Sequence, residues 1–337
     1  MTSSLKAAKQ KGLQAVANSR GVIAALAIDQ RSALRNLFAR AMDVEPAAVS
    51  SERLIGFKEE VSSILTSYAS AILLDPEYGL PAAGKRAASA GLLLAYEQTG
   101  YDQNVPGRLP RLLEHWSAQR LVGAGADAVK LLLYYSNHSA PQVNDRKYAF
   151  VERVGAECAS SGVPFFLELV SYAEGLDDKG VEFARVKPQV VAAGMAEFSK
   201  PLYCVDVLKV GMPVNLAFVE GSPAASGGLL HTRAEAKQHF QRVAGFASVP
   251  FIYLSEAVSN ATFLFGLQLA AESGARFSGV LCGRATWQDG VEIFVRHGAN
   301  ALQDWLGDQG TRNIENVNQC LATATPWFEV NIDSTQS

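Results

Sequence analysis

Val205-Asp206-Val207-Leu208-Lys209-Val210 is a short aliphatic run with a lysine one position from its end. Continuous apolar runs of this length suit parallel strands buried on both faces. Lysine is seldom fully buried unless it is paired, so Lys209 marks the run as more than scaffold. Glu168 lies 41 residues upstream within Pro164–Val170, and Ser255 lies 46 residues downstream at the end of Pro250–Ser255. Five further runs share the pattern: Gly21–Asp29, Ala69–Asp75, Ala90–Glu97, Asp127–Tyr134 and Ser278–Arg284. Between them lie helix-compatible stretches such as Ser51–Ser67, Leu109–Gly123, Lys147–Ser160 and Thr232–Phe246, and Gly162 and Gly274 stand where helix C-caps are expected.

Eight strand–helix units of about 42 residues fill the 337-residue chain, leaving little for a second domain. The expected fold is therefore α/β, a single-domain (β/α)8 TIM barrel over residues 1–337. The main rival, an open doubly wound sheet, usually carries a glycine-rich phosphate turn after its first strand. Here the first run ends in Ala27-Ile28-Asp29-Gln30-Arg31, with no such turn. Two segments fit the repeat less well. Residues 211–232, rich in Gly, Ser and Pro, read as a long loop of the kind that often serves as a lid or mobile segment. From about 311 a tail begins, with a weak helical pattern around Ile314–Leu321.

Bulk properties narrow the function. With 33 acidic and 30 basic residues the formal charge is −3, so no basic field is present to hold nucleic acid. No apolar run approaches the roughly 20 residues of a membrane span, and the first twenty residues have no apolar signal core. Four scattered cysteines suit a reducing compartment, and a cytoplasmic location is expected. The five histidines close no strand run and form no HxxxH or HxH pair, so neither a metal site nor a cofactor is expected.

In such barrels the chemistry sits at the C-terminal ends of the strands. Asp29, Gln30 and Arg31 close the first run, Asp75 and Glu77 the second and Glu97 the third; Lys130, Glu168, Lys209, Ser255, Gly283 and Arg284 mark the remaining five. Burial lowers a lysine pKa and a neighbouring cation adds to the effect, so Lys209 and Lys130 are expected to depress one another. An amine brought towards neutrality attacks carbonyls to form an imine. The bland alternative pairs each lysine with its local aspartate, Asp127 or Asp206; yet residues three apart on a strand point to opposite faces, which weakens that pairing. Glu168, among apolar neighbours, is expected to have a raised pKa unless a lysine offsets it, and it suits proton transfer beside an imine. Gly283 and Arg284 close the eighth run, where barrels often bind phosphate, and Ser255 supplies a further donor.

Ala24–Arg31, Leu74–Gly79, Val129–Tyr135, Val205–Val210, Phe251–Ser255 and Gly279–Trp287, taken in order, resemble the tagatose 1,6-bisphosphate aldolases over nearly the whole chain. The resemblance implies a metal-independent class I aldolase on a (β/α)8 barrel. It would split a ketose bisphosphate, tagatose 1,6-bisphosphate or an epimer such as fructose 1,6-bisphosphate, into dihydroxyacetone phosphate and glyceraldehyde 3-phosphate. By matching motif, Lys209 would form the imine, Glu168 would transfer protons and Lys130 would be the second active-site lysine. Asp29 and Gln30 would meet substrate hydroxyls, Ser255, Gly283 and Arg284 the 1-phosphate, and Arg31 the distal phosphate. Self-association to a dimer or larger homo-oligomer is also expected. Two motifs depart from the family pattern: Leu-Lys-Val-Glu-Val-Pro becomes Leu208-Lys209-Val210-Gly211-Met212-Pro213, losing an acid two residues past Lys209, and Ser-Ala-Gly-Val-Ser becomes Ser255-Glu256-Ala257-Val258-Ser259, adding one after Ser255. These departures leave open a 6-deoxy-6-sulfofructose 1-phosphate aldolase of the same mechanism. A ligand-binding regulatory barrel without turnover and a phosphate-binding isomerase are the readings from other classes.

Overall fold

Each of the eight runs becomes a strand in the computed structural model, which describes residues 2–98, 105–225 and 228–330. They are β1 (Ile23–Ala27), β2 (Ala71–Leu74), β3 (Gly91–Ala95), β4 (Ala128–Tyr135), β5 (Phe165–Ser171), β6 (Val207–Val210), β7 (Phe251–Leu254) and β8 (Gly279–Cys282). All pair in parallel with their neighbours in chain order, and β8 returns to β1, closing a barrel. A closed barrel leaves no sheet edge, and the helices around it cover the strands' outer faces.

The two-residue alternation of the strands decides which side chains enter the barrel. Ala25, Ala27, Leu93, Ala95, Ala128, Phe166, Val207 and Ile252 pack as an inner core, while the intervening Leu26, Leu94, Val129, Leu167 and Leu208 join the outer core beneath the helices. In the same phase as the inner set come Lys130, Glu168 and Lys209. The N-terminal helix Ser3–Val16 brings Leu13 and Val16 into the inner core. At the closing seam Gly279 has φ +136°, and a Cβ there would lie 1.9 Å from the Ile23 carbonyl oxygen, so only glycine lets β8 approach β1.

Several helices match the reading closely: Ser51–Leu65, Pro141–Ser160 and Arg233–Ala244, the last started by a Thr232–Glu235 capping box. Gly162 and Gly274 both have positive φ just beyond helices, as expected of C-caps. The helix expected over Leu109–Gly123 is half wrong. Only Ala118–Gly123 is helical, because Leu112 pairs antiparallel with Glu97 and Leu113 N–H donates to Tyr96 O at 3.0 Å. The 211–232 excursion is well anchored where described, with Met212, Val214, Leu216 and Val219 all buried. In the tail, Thr311–Gln319 is a helix whose Ile314 and Val317 pack into the outer core. No helix among the described residues is long and apolar enough to cross a membrane.

Candidate active site

Strand register sets the geometry. Glu168 on β5 stands beside Lys209 on β6 and beside Leu132 on β4, while Lys130 pairs with Ala95 two residues lower. Lys130 therefore extends upward into a ring of acids from separate strands. Its Nζ donates to Asp29 Oδ2 at 2.8 Å and Glu97 Oε1 at 2.6 Å, and lies 2.8 Å from Glu168 Oε2. Lys209 Nζ meets one carboxylate, that same Glu168 Oε2, at 3.0 Å. The local aspartates take no part: Asp127 accepts from Leu92 N–H and Asp206 pairs with Lys9.

The electrostatics correct one expectation. Burial alone would depress Lys130, but Asp29, Glu168 and Glu97 outweigh it and hold the ammonium well above its ordinary pKa. The expected mutual depression of the two lysines is therefore not what governs Lys130. Glu168 follows the offset case: burial would raise it, and Lys130 and then Lys209 pull it below the usual carboxylate value. Asp29 is likewise held down, against its burial, by Lys130 and Lys209.

Above this ring opens a cavity of about 780 Å³, lined by Asp29, Gln30, Lys130, Glu168, Ser255 and Arg284 among others. Lys209 is only 3% exposed and meets Glu168, which lines the cavity. Asp29 Oδ1 and Gln30 Oε1 are buried without a hydrogen-bond partner among the described residues, leaving two acceptors available to hydroxyl donors. The Arg284 side chain takes part in none of the hydrogen bonds or ion pairs among the described residues, and burial pulls its guanidinium below the ordinary pKa. Burial pushes the Cys282 thiol up to about 12, with Ser255 beside it pulling the other way. Gly283 leads into the short helix Arg284–Trp287 beside β1, where an added Cβ would lie 2.9 Å from Ala27 O. Trp287 Nε1 donates to that same carbonyl at 2.8 Å and ties the turn after β8 to β1.

Arg31 lines the cavity wall with its fork largely committed: one arm to Glu77 Oε2 at 2.6 Å and the other to Glu97 O at 2.7 Å. Asp75 lies in a fully buried pair with Lys58. The sequence reading left Glu97 without a role, though it closes the third run; its weight comes from Lys130. Arg108, paired with Asp178 at 2.7 Å and stacked 4.3 Å over Tyr172, also lines the cavity. It follows a loop with no strand signal.

Gly211 and Glu256, one from each departing motif, meet in space. Lys187, on the helix Val181–Phe198, donates to both oxygens of Glu256 at 2.8 and 2.9 Å. A Cβ on Gly211 would lie 2.5 Å from Glu256 Oε1. The carboxylate absent from one strand end is supplied by the next, and its charge is matched by a lysine.

Comparison with known proteins agrees with this architecture. The model of the DeoC/LacD family aldolases matches residues 23–289. Tagatose 1,6-diphosphate aldolase 2 of Enterococcus faecalis is 52% identical over 326 residues, 96% of each chain. Tagatose 1,6-diphosphate aldolase of Staphylococcus aureus is 48% identical over 321 residues, 95% of this chain and 97% of the relative. A fructose-bisphosphate aldolase from Plasmodium falciparum, solved with TRAP and a small-molecule inhibitor, superposes with a TM-score of 0.68 over 96% of this chain and 97% of its own. At 13% identity that likeness speaks for the barrel alone. Given a family model spanning the barrel and such similarity over nearly its full length, this chain belongs to the DeoC/LacD family and is an aldolase.

Proposed function

We propose that the enzyme cleaves tagatose 1,6-bisphosphate, or an epimer such as fructose 1,6-bisphosphate, to dihydroxyacetone phosphate and glyceraldehyde 3-phosphate through an imine on Lys209. One contrast carries the choice of nucleophile. Lys130 is held by three carboxylates, whereas Lys209 touches one. A lysine kept charged is a poor nucleophile; one that can hand its proton to a neighbour is not.

The free amine of Lys209 attacks the C2 ketone, and loss of water leaves a protonated imine. Glu168, ionised and buried, takes the C4 hydroxyl proton as the C3–C4 bond breaks. Glyceraldehyde 3-phosphate leaves, and the bonding pair is held as an enamine on Lys209. Protonation at C3 and attack of water on the imine release dihydroxyacetone phosphate and restore the amine. Lys130 remains protonated throughout and favours the ionised form of Glu168 before it accepts the C4 proton and after it returns that proton to C3. The unpaired oxygens of Asp29 and Gln30 receive sugar hydroxyls, and Ser255, Gly283 and Arg284 hold the phosphate nearest the imine. Arg31, with its Nε unpartnered, serves the distal phosphate. The substrate printed in the relatives' names supports this assignment.

Borohydride added during turnover should reduce the imine and leave a stable adduct on the peptide carrying Lys209, read by mass. Lys209→Ala should lose both the adduct and at least about 10³-fold in kcat. Cleavage persisting in that variant, or inhibition by a chelator, would remove the reading. A panel of tagatose, fructose and 6-deoxy-6-sulfofructose phosphates identifies the sugar.

A further inference from the structure

We propose that Lys187 and Glu256 are a positioning pair that holds the turn after β7 in a strained form, and that this turn sets Ser255 for the phosphate end of the substrate. The inference rests on the phosphorylated-ketose reading above.

The observation behind it is a backbone outlier. Glu256 and Ala257 have φ +47° and +62°, and Val258 N–H donates to Ser255 O at 3.0 Å. Positive φ at both central residues of a tight turn is a conformation normally taken by Gly, Asn or Asp. Neither glutamate nor alanine adopts it readily, so contacts elsewhere must hold it. Strain of this kind gathers at ligand sites, where the surrounding structure over-determines the chain.

Those contacts are visible. The Glu256 carboxylate accepts both Lys187 hydrogen bonds and a third from Met212 N–H at 3.2 Å. It thereby joins the helix after β5, the segment after β6 and the turn after β7. Gly211 leaves the space that the carboxylate fills. Lys187 is 6% exposed and pairs with Glu256 at 2.8 Å, so the ammonium has reason to keep the carboxylate in place. On the far side Ser259 caps the helix Asn260–Glu272, accepting from Thr262 N–H. The turn is thus fixed at both ends, and Glu256 controls the residues between. Ser255, Glu256, Ala257 and Val258 all line the cavity, on the wall that also carries Arg284. No backbone hydrogen bond is donated by Glu256 or Ala257 among the described residues, so their N–H groups remain available to an anion.

A pair that merely braces the fold would change thermal stability and leave catalysis alone. A positioning pair changes ligand affinity and spares the chemical step. Glu256→Gln keeps the shape and removes the charge. It should raise KM for the ketose phosphate about tenfold and leave kcat within about twofold of wild type. The inhibition constant for inorganic phosphate should rise in step. Adding Ala257→Gly to that variant makes the backbone conformation inexpensive again and should return KM to within about threefold of wild type. Lys187→Met is the second variant and should show the same rise in KM.

An unchanged KM with a lowered Tm would make the pair purely structural. A fall in kcat at constant KM would place Glu256 in the chemistry. Failure of Ala257→Gly to recover KM would remove the strain argument. If the wild-type protein itself cleaves no phosphorylated ketose, the functional reading fails instead. Binding of inorganic phosphate to wild type and to Glu256→Gln then still reads the turn.

Discussion

Lys130 and Lys209 meet the same atom: Glu168 Oε2 lies 2.8 Å from one amine and 3.0 Å from the other. Their environments differ nonetheless, since Lys130 also holds Asp29 and Glu97. A single carboxylate thus links a lysine whose ammonium three acids hold well above its ordinary pKa to one that reaches a single acid, and the proposed division of labour follows from that count.

Removing Lys130 tests that division. Lys130→Met strips the cation from three buried carboxylates and should cost about 3–5 kcal/mol of stability at neutral pH. Asp29 and Glu168 have native pKa values below their ordinary ones. The stability they contribute is present above the ordinary carboxylate pKa of about 4 and is lost as pH falls through their native values. The deficit of the variant, read as the urea midpoint between pH 3 and 8, should therefore narrow at the acid end. A deficit constant across that range would mean the pairing is not its source.

Arg284 presents the opposite case, a half-buried cation whose guanidinium is depressed by burial and attracted only from a distance by the carboxylates of Asp29 and Glu168. Arg284→Ala should raise KM for the ketose phosphate about 10- to 100-fold, the worth of a hydrogen bond to a charged group. Its Tm should stay level or rise, because burial of the guanidinium outweighs its attraction to Asp29 and Glu168. A lower Tm with unchanged KM would assign Arg284 to structure alone.

Gly211 and Glu256 should behave as one unit. A Cβ at Gly211 displaces the carboxylate, so Gly211→Ala should raise KM much as Glu256→Gln does. The double variant Gly211→Ala/Glu256→Gln should be hardly worse than either single change, because the second substitution removes what the first has already dislodged. Additive effects in a steady-state double-mutant cycle would show that the two positions act separately.

Lys147 offers a test outside the ring. It is fully buried, donates to Tyr172 Oη at 3.1 Å, and burial lowers its pKa to about 8. Between pH 8 and the ordinary lysine value of about 10.4 the unfolded chain binds more protons than the native one, so stability rises with pH there. Below that window the buried charge is a fixed burden. Lys147→Met should raise Tm by a few degrees at pH 7, with the advantage fading by pH 10. An equal gain at both pH values would mean that packing, not charge, is responsible.

The positions of the strands and the inward phase of Lys130, Glu168 and Lys209 were readable because both depend on local pattern. A run of aliphatics encodes burial, and a two-residue period encodes facing. The expected helix over Leu109–Gly123 failed in its first half because the partner that claims Leu112 is Glu97, on another strand. Lys187 carried no signal within its own helix, since its significance comes from Glu256, 69 positions away.

What this sequence determined by itself was the repeating unit, the barrel it builds and the residue types delivered to one end of it. The tertiary structure alone decided which charges meet: Lys130 with acids 33 and 101 residues distant, and Glu256 with a lysine from the helix after β5. The physical reason is one of range. Burial and facing are written within a few residues, whereas an electrostatic partner is chosen by distances of about 3 Å that exist only once the eight strands have closed.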